Sequence, residues 1–327
     1  MLCFVRHETD PYFNIAAEEY VLKNFSDDCF MIWRNEPCII VGKHQNTLAE
    51  INPEYVAERG IKVVRRLTGG GAVFHDLGNL NFTFVANRQP GDNMVDFHKF
   101  TLPIIDVLRK LNINAEFSGR NDLVIDGRKF SGNAEHVFKN RILHHGTLLF
   151  SSIMSDLVNA LKVDPSKFAG KAVKSVQSRV TNISEHLQQP LTVLEFRDLI
   201  MQHIIEATPG ARECSFTDVD RQAIMKLRDE KYSTHEWNYG ISPDYNFTKK
   251  VKTEGGNLHV AMVIEQGVIK HVRIFGDYFH LQDPVEIETA LVGRIHNYDE
   301  IRNCISEFDI SDYFVKINEN ELLSVLV

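Results

Sequence analysis

The sequence predicts an α+β chain made of a larger unit, residues 1–246, and a small α+β unit, residues 247–327. Three observations carry this. Through the first half, helix-period segments alternate with many short strand-like runs bounded by turn residues. Around residues 235–247 (HEWNYGISPDYNF) that pattern breaks, and Pro, Gly, Asn and Ser cluster with aromatics as they do at a domain boundary. Beyond it the chain restarts with a hairpin and helical segments of its own, in a unit near the lower end of independently folding sizes.

In order along the chain, Asn14 to Lys23 (NIAAEEYVLK) reads as an amphipathic helix capped by Asn14, with Glu18 and Glu19 on its polar side. Phe30 to Trp33 and Cys38 to Val41 read as buried strands separated by an Asn35-Glu36-Pro37 turn. Pro53 to Arg59 is a short helix stopped by Gly60. Lys62 to Arg66, Ala72 to Phe74 and Leu80 to Val85 follow as strands, the last alternating cleanly. Asp96 to Leu111 reads as a helix that Pro103 must kink or begin. Leu123 to Phe130 is a hairpin, because Asp126-Gly127 is a favoured type I′ pair. Leu143 to Phe150 is a further strand, and two or three helices lie between Leu191 and Asp229. In the small unit, Asn257 to Ile264 and Val268 to Phe275 make a hairpin, followed by helices near Pro284 to Leu291 and Tyr298 to Phe308.

Composition narrows the function classes. Hydrophobic residues are 43% and charged residues 24% of 327, ordinary for a globular chain. A net charge of −8 argues against a broad nucleic-acid footprint. No apolar run reaches the roughly 20 residues of a membrane helix, and the N-terminal MLCFV is too short for a signal-peptide core. Cys3, Cys29, Cys38, Cys214 and Cys304 are scattered, without a C-x-x-C pair, so neither a disulfide framework nor a zinc knuckle is indicated. A cytoplasmic monomer is the expectation.

Four segments carry chemistry. In Arg65-Arg66-Leu67-Thr68-Gly69-Gly70-Gly71-Ala72-Val73-Phe74-His75-Asp76, successive glycines let backbone N–H groups approach an anion, and two arginines supply planar donors. This is neither a P-loop nor G-x-G-x-x-G. The second is Ser118-Gly119-Arg120-Asn121-Asp122 with Lys129-Phe130-Ser131-Gly132 beyond the hairpin turn. A strand lysine beside a small-residue pocket suits a carboxylate and a phosphate together; the plainer alternatives are an exposed lysine and an Arg120–Asp122 surface pair. In the third, His144-His145-Gly146-Thr147, adjacent strand histidines point to opposite faces, so they do not share one metal easily and one faces the interior. The fourth, Lys167 to Asn182 with Lys171, Lys174 and Arg179, is either a loop that closes over phosphates or a solvated basic loop.

Taken together, RR-x-T-GGG-AVFHD with GNLNFT, GRND…GRKFSGNA, HHGTLL and KSVQSRVTN, in that order, resemble the lipoate–protein ligase A family over nearly the whole chain. The resemblance implies a mixed, largely antiparallel sheet packed with helices, like class II aminoacyl-tRNA synthetases and biotin ligases. It also implies formation of lipoyl-adenylate from lipoate and Mg-ATP, then transfer to a lysine of 2-oxo acid dehydrogenase E2 subunits or the glycine cleavage H protein. On matching motifs, Lys129 would hold the lipoate carboxylate and the adenylate phosphate. Arg66 and the backbone of Gly70, Gly71, Ala72, Val73 and Phe74 would form the lipoate and ATP loop. Trp33 and His75 would border the acyl pocket, Asp122 would lie at the nucleotide or Mg²⁺ end, and His145 is the choice from the histidine pair. Lys174 and Arg179 fall in the loop that closes over the adenylate. Thr68 stands where a serine is common in the family. The small unit of such enzymes shifts during the cycle, which puts a hinge in Gly240 to Phe247.

The rival within the superfamily is an ATP-independent octanoyl or lipoyl transferase, which needs a cysteine nucleophile near the Lys129 strand. No cysteine occurs between Cys38 and Cys214. A biotin ligase would carry a GRGR-type loop where this chain has RRLTGGG, and an inactive lipoate-binding scaffold would not require Lys129.

Overall fold

The computed structural model describes residues 1–88, 96–161, 179–239, 246–265 and 267–327. Its centre is an eight-stranded mixed sheet, ordered β11-β1-β2-β6-β10-β9-β8-β7. These strands are β1 (Leu2–Val5), β2 (Cys29–Trp33), β6 (Asn79–Asn87), β7 (Ala115–Ser118), β8 (Asp122–Ile125), β9 (Arg128–Phe138), β10 (Arg141–Leu149) and β11 (Arg212–Cys214). From β2 to β7 every pairing is antiparallel, while β1 pairs in parallel with both β2 and β11. A second sheet, β4-β3-β5, joins β3 (Cys38–Val41), β4 (Lys62–Arg65) and β5 (Val73–His75).

The large sheet buries both faces. Phe30 and Ile32 of β2 and Leu80, Phe82 and Phe84 of β6 pack under α4 (Phe97–Lys110) and the helix Val193–Ala207. The alternate residues Met31, Trp33 and Val85 pack beneath α1 (Pro11–Asn24). This is the period-two rule applied to a doubly covered strand.

Local expectations meet the structure unevenly. Asp126 and Gly127 both have positive φ, 50° and 73°, as a type I′ hairpin requires. Gly60 ends the helix Pro53–Arg59 in the left-handed conformation. Pro103 lies inside α4 and not at its start, and Asp96 caps that helix through the Lys99 N–H at 3.0 Å. Asn14 is not a cap. Helix α1 begins at Pro11, whose ring fixes the first helical φ, and Asn14 lies a turn inside, fully buried. Nor do Glu18 and Glu19 face water, each being 3% exposed.

Residues 247–327 form the antiparallel sheet β12 (Phe247–Thr253), β13 (Gly256–Glu265) and β14 (Val268–Gly276), covered by the helices Val285–Leu291, Tyr298–Ile305 and Glu319–Leu326. They enclose a core of their own, including Leu258, Ile274, Ile301 and Leu322. Of the Gly240–Phe247 stretch, residues 240–245 lie outside the described residues, and Phe247 begins β12.

Candidate active site

Strand register brings one set of side chains to a common face. Trp33 pairs with Asn81 and Asn81 with Thr147; Met31 pairs with Thr83 and Thr83 with His145. Trp33, Asn81, Thr83, His145 and Thr147 therefore share the side facing α1 and the small β4-β3-β5 sheet. Between them lies a cavity of about 140 Å³. A water needs roughly 10–15 Å³, so the space suits a ligand better than one trapped solvent molecule. Trp33, Arg66, Gly70, Gly71, Ala72, Val73, His75, Lys129 and His145 all line it.

A hydrogen-bonded chain crosses its floor. The Trp33 indole donates to Thr83 Oγ1 at 3.0 Å, and Thr83 donates to Glu18 Oε1 at 2.6 Å. Glu18 also meets His145 Nδ1 at 3.0 Å, and His145 Nε2 meets Thr68 Oγ1 at 2.8 Å. Arg66 Nε donates to the same Thr68 oxygen at 2.8 Å. With a carboxylate as acceptor at Nδ1, His145 is held with its proton there. Its neighbour His144 points the other way, as strand alternation demands, and meets Glu135 Oε1 at 2.8 Å in full burial.

Both arginine side chains are engaged within the protein. Arg66 spends its guanidinium on Thr68 and on the carbonyls of Ile40, Gly69 and Gly71. Arg65 donates to the carbonyls of Gly42, Lys43, Gln45, Trp237 and Asn238 and to Thr47 Oγ1. Burial lowers both to about 10, against a partial offset from Glu18 at Arg66, which leaves them cationic at neutral pH. Arg66 braces the glycine loop, and Arg65 ties residues 42–47 to residues 237–238. The glycines have separate reasons. A Cβ at Gly69 would stand 2.2 Å from the Tyr278 carbonyl, Gly70 holds φ +88°, and a Cβ at Gly71 would meet nothing within 4 Å. Gly70 N–H is itself engaged by the Tyr278 carbonyl at 3.3 Å, so the loop rests on the small unit.

Lys129 is aimed by a β-bulge. Leu123 pairs with Ser131 but Val124 pairs with Lys129, so Phe130 is an extra residue in β9. The slip carries the Lys129 side chain over Gly132, where an added Cβ would lie 3.0 Å from Nζ. Nζ meets Asp122 Oδ1 at 2.7 Å, in a pair whose side chains are 40% and 36% exposed. Such a partly exposed pair contributes little to stability. The Arg179 carbonyl accepts from Lys129 N–H at 2.7 Å, which ties that segment beside the lysine; Lys174 lies outside the described residues. Asp122 is not among the lining residues; it pairs with Lys129 rather than with Arg120, which reaches Gly255 and Asp277 of the small unit. Phe74 turns away from the cavity into the core of the small sheet, because Val73 and His75 take the alternate positions. Sequence reasoning missed Ile15, Ile40, Asn81, Asn121, Asn133 and Thr147 in the lining. Among the described residues no cluster of three or more His, Cys, Asp or Glu side chains suits a metal ion, and no helix is long and apolar enough to cross a membrane.

Comparison with known proteins resolves the family. Residues 10–205 match the lipoyl protein ligase A/B catalytic domain, and residues 242–326 the bacterial lipoate protein ligase C-terminus. The chain is 44% identical to lipoate–protein ligase 1 of Staphylococcus aureus over 320 residues, 97% of each protein. It belongs to the lipoate–protein ligase family. Another member, the ligase LplJ of Bacillus subtilis, is 42% identical over 321 residues, again 97% of each. Among solved structures, P. falciparum LipL1 in complex with lipoate superposes with a TM-score of 0.81 at 25% identity, covering 99% of this chain and 97% of that one. A lipoate–protein ligase A bound with ATP gives 0.64 at 26% identity, over 74% and 98% of the two chains. The mixed α+β fold expected of the family is the fold observed. Within the cavity the Lys129 side chain is partly exposed, whereas Trp33 is buried.

Proposed function

We propose that this chain condenses lipoate with ATP to lipoyl-adenylate and passes the lipoyl group to a lysine of an acceptor domain of the E2 or glycine cleavage H type. A single observation carries the reading: one cavity runs from a half-exposed lysine beside a glycine loop to a fully enclosed tryptophan. An acid with a long apolar tail fits that gradient, its carboxylate at Lys129 and its tail on Trp33.

In the first step a carboxylate oxygen attacks the α-phosphorus of ATP, and pyrophosphate leaves. Two anions must be held together, so charge neutralisation and positioning dominate the catalysis. Lys129 exchanges Asp122 for the lipoate carboxylate and the α-phosphate. The glycine loop, held in shape by Arg66, backs the same oxygens. The freed Asp122 faces the nucleotide. Mg²⁺ is characteristically bound by one or two carboxylates plus substrate phosphates, a donor set that Asp122 with ATP fits. When bound, the ion would neutralise phosphate charge. In the second step the neutral acceptor amine attacks the acyl carbon, the C–O bond to phosphate breaks, AMP departs, and one proton is released. No protein nucleophile is required, and the buried cysteines supply none: burial pushes Cys29 up to about 12 and Cys3 to about 11, and raises the Cys38 thiol likewise.

The test is lipoate-dependent release of pyrophosphate from ATP without acceptor, in wild type and Lys129→Ala. Release by the wild type and a loss of at least a hundredfold in the variant are expected, the scale of losing a principal charge stabiliser. If folded wild-type protein releases none, the adenylation reading is wrong.

A further inference from the structure

His75 borders the cavity, and its ring is held by a relay that fixes which nitrogen carries the proton. The relay starts at Arg6, which can only donate hydrogen bonds, and which donates to Asn14 Oδ1. Asn14 Nδ2 therefore faces the other way, toward the carbonyls of Glu8 and Arg34, each at 2.9 Å, and Asn35 Oδ1 at 2.8 Å. With its oxygen accepting there, Asn35 turns its nitrogen to His75 Nδ1 at 3.1 Å. Nδ1 must accept, so the proton sits on Nε2. Burial, helped by the neighbouring Arg66, drives His75 down to about 3, so the ring stays neutral across the working range of pH.

That Nε2–H is buried and has no hydrogen-bond partner among the described residues. Buried donors are nearly always satisfied, and a lone one in a cavity wall points to a ligand atom. The position in the cavity says which atom. The Lys129 side chain is 40% exposed, at the open side. Trp33, Asn81 and His75 are 1%, 2% and 3% exposed, at the closed end. His75 stands edge-on to Trp33 with ring centroids 6.3 Å apart, and the Asn81 carboxamide nitrogen beside it also lacks a partner. A ligand whose carboxylate lies at Lys129 brings its far end here.

We infer that His75, positioned by Asn35, donates its Nε2–H to a sulfur of the dithiolane ring and so makes the cavity select lipoate over octanoate, its sulfur-free counterpart. This rests on the lipoate reading above. The disulfide sulfur of a dithiolane, like a thioether sulfur, is a weak acceptor, but the comparison is with a methyl group that accepts nothing. Octanoate leaves the donor dry and unpaired, and a site built to hydrogen-bond its substrate rejects an analogue lacking the partner.

Asn35→Asp is the informative variant because it is nearly isosteric. A carboxylate at that position must receive a proton from Nδ1, so the ring switches tautomer and offers the cavity a bare Nε2. Pyrophosphate release is measured with lipoate and with octanoate. The wild type should prefer lipoate by roughly tenfold in kcat/KM, on the scale of an unpaired buried donor. In Asn35→Asp the preference should collapse through a raised KM for lipoate, with octanoate little changed. An equal fall for both acids, or an unchanged ratio, would overturn the assignment. If the variant fails to fold, ¹⁵N–¹H correlation of the wild-type imidazoles decides. Resonances of His75, assigned by its loss in His75→Gln, must show the Nε2–H form and move with lipoate but not octanoate. The Nδ1–H form sinks the proposal. Silence of the wild type toward both acids would instead count against the ligase reading.

Discussion

At Gly132 a missing side chain sets the place of a present one. A Cβ there would come within 3.0 Å of Lys129 Nζ and 3.1 Å of Cε, the mobile end of a flexible chain. The backbone at Gly132 does not need positive φ, so alanine introduces no conformational strain. Gly132→Ala should therefore cost the fold little, within about 1 kcal/mol, while displacing the ammonium from the place where carboxylate and phosphate meet. Pyrophosphate release is expected to fall tenfold or more with the melting temperature nearly unchanged. Unchanged activity would mean that Lys129 works from another position. The residue types at this site were legible in the sequence; their partners were not. Lys129, the glycine run and Trp33 could be named from motif order, whereas Arg66 binding its own loop and Asp122 binding Lys129 depend on a strand register and a bulge that no local pattern announces.

Strand β6 shows how the same signal is read correctly and incompletely at the scale of an element. Its alternation, Asn79, Asn81 and Thr83 against Leu80, Phe82 and Phe84, identified a strand, and ordinarily the polar face of such a strand meets water. Here Asn79, Asn81 and Thr83 are 0%, 2% and 0% exposed, because α1 and the small sheet cover that face. The polar residues were the site and not the surface. Helix α1 conceals the same thing: Glu18 and Glu19 resemble a solvated stripe, yet one anchors His145 and Thr83 and the other Lys23, Lys231 and Tyr232. A buried polar face on one element requires a polar face on the element above it, which is a tertiary fact. The glycine loop carries the corresponding prediction. Gly69→Ala would drive a methyl group against the backbone carbonyl of Tyr278, an atom that cannot swing aside. Stability should fall by on the order of 2 kcal/mol along with adenylation, and both losses together distinguish it from Gly132→Ala. A thermal melt that matches the wild type would show that the loop and Tyr278 do not meet as described.

Across the whole molecule, the contact between residues 247–327 and the rest includes a cluster of histidines. His44 stacks on Tyr278 at 5.0 Å and meets His280 edge-on at 4.3 Å, and His136 lies 5.7 Å from His280. Nitrogens of all three rings are buried without partners among the described residues. Burial first, and then Lys43, holds His44 well below its usual range and brings His136 to about 4; His280 is held well below as well, by burial, then His44 and Lys43. Arg273 and Arg65 add to the positive surroundings, while Asp283, a carboxylate facing the cluster, is pulled below its usual range by its pair with Lys43 at 2.6 Å. An imidazole whose folded value lies beneath the ordinary 6.5 takes up a proton in the unfolded chain first. Stability from these rings is complete above that value and is lost as pH falls toward about 4. Each pK unit is worth ~1.4 kcal/mol, and these three rings add to the buried His75 and to His144, His203 and His259, which are lowered elsewhere. The carboxylates held low elsewhere, Glu8, Asp10 and Glu19, lose their contribution only as pH falls through the ordinary carboxylate range, so the interval from pH 7 to pH 5 reports mainly on histidines. Melting temperature should therefore drop by several degrees between pH 7 and pH 5, and His280→Phe should flatten that slope, since a phenyl ring keeps the packing and cannot be protonated. A wild-type melting temperature that is level across that interval would rule out the histidine contact as the acid-sensitive part of the fold.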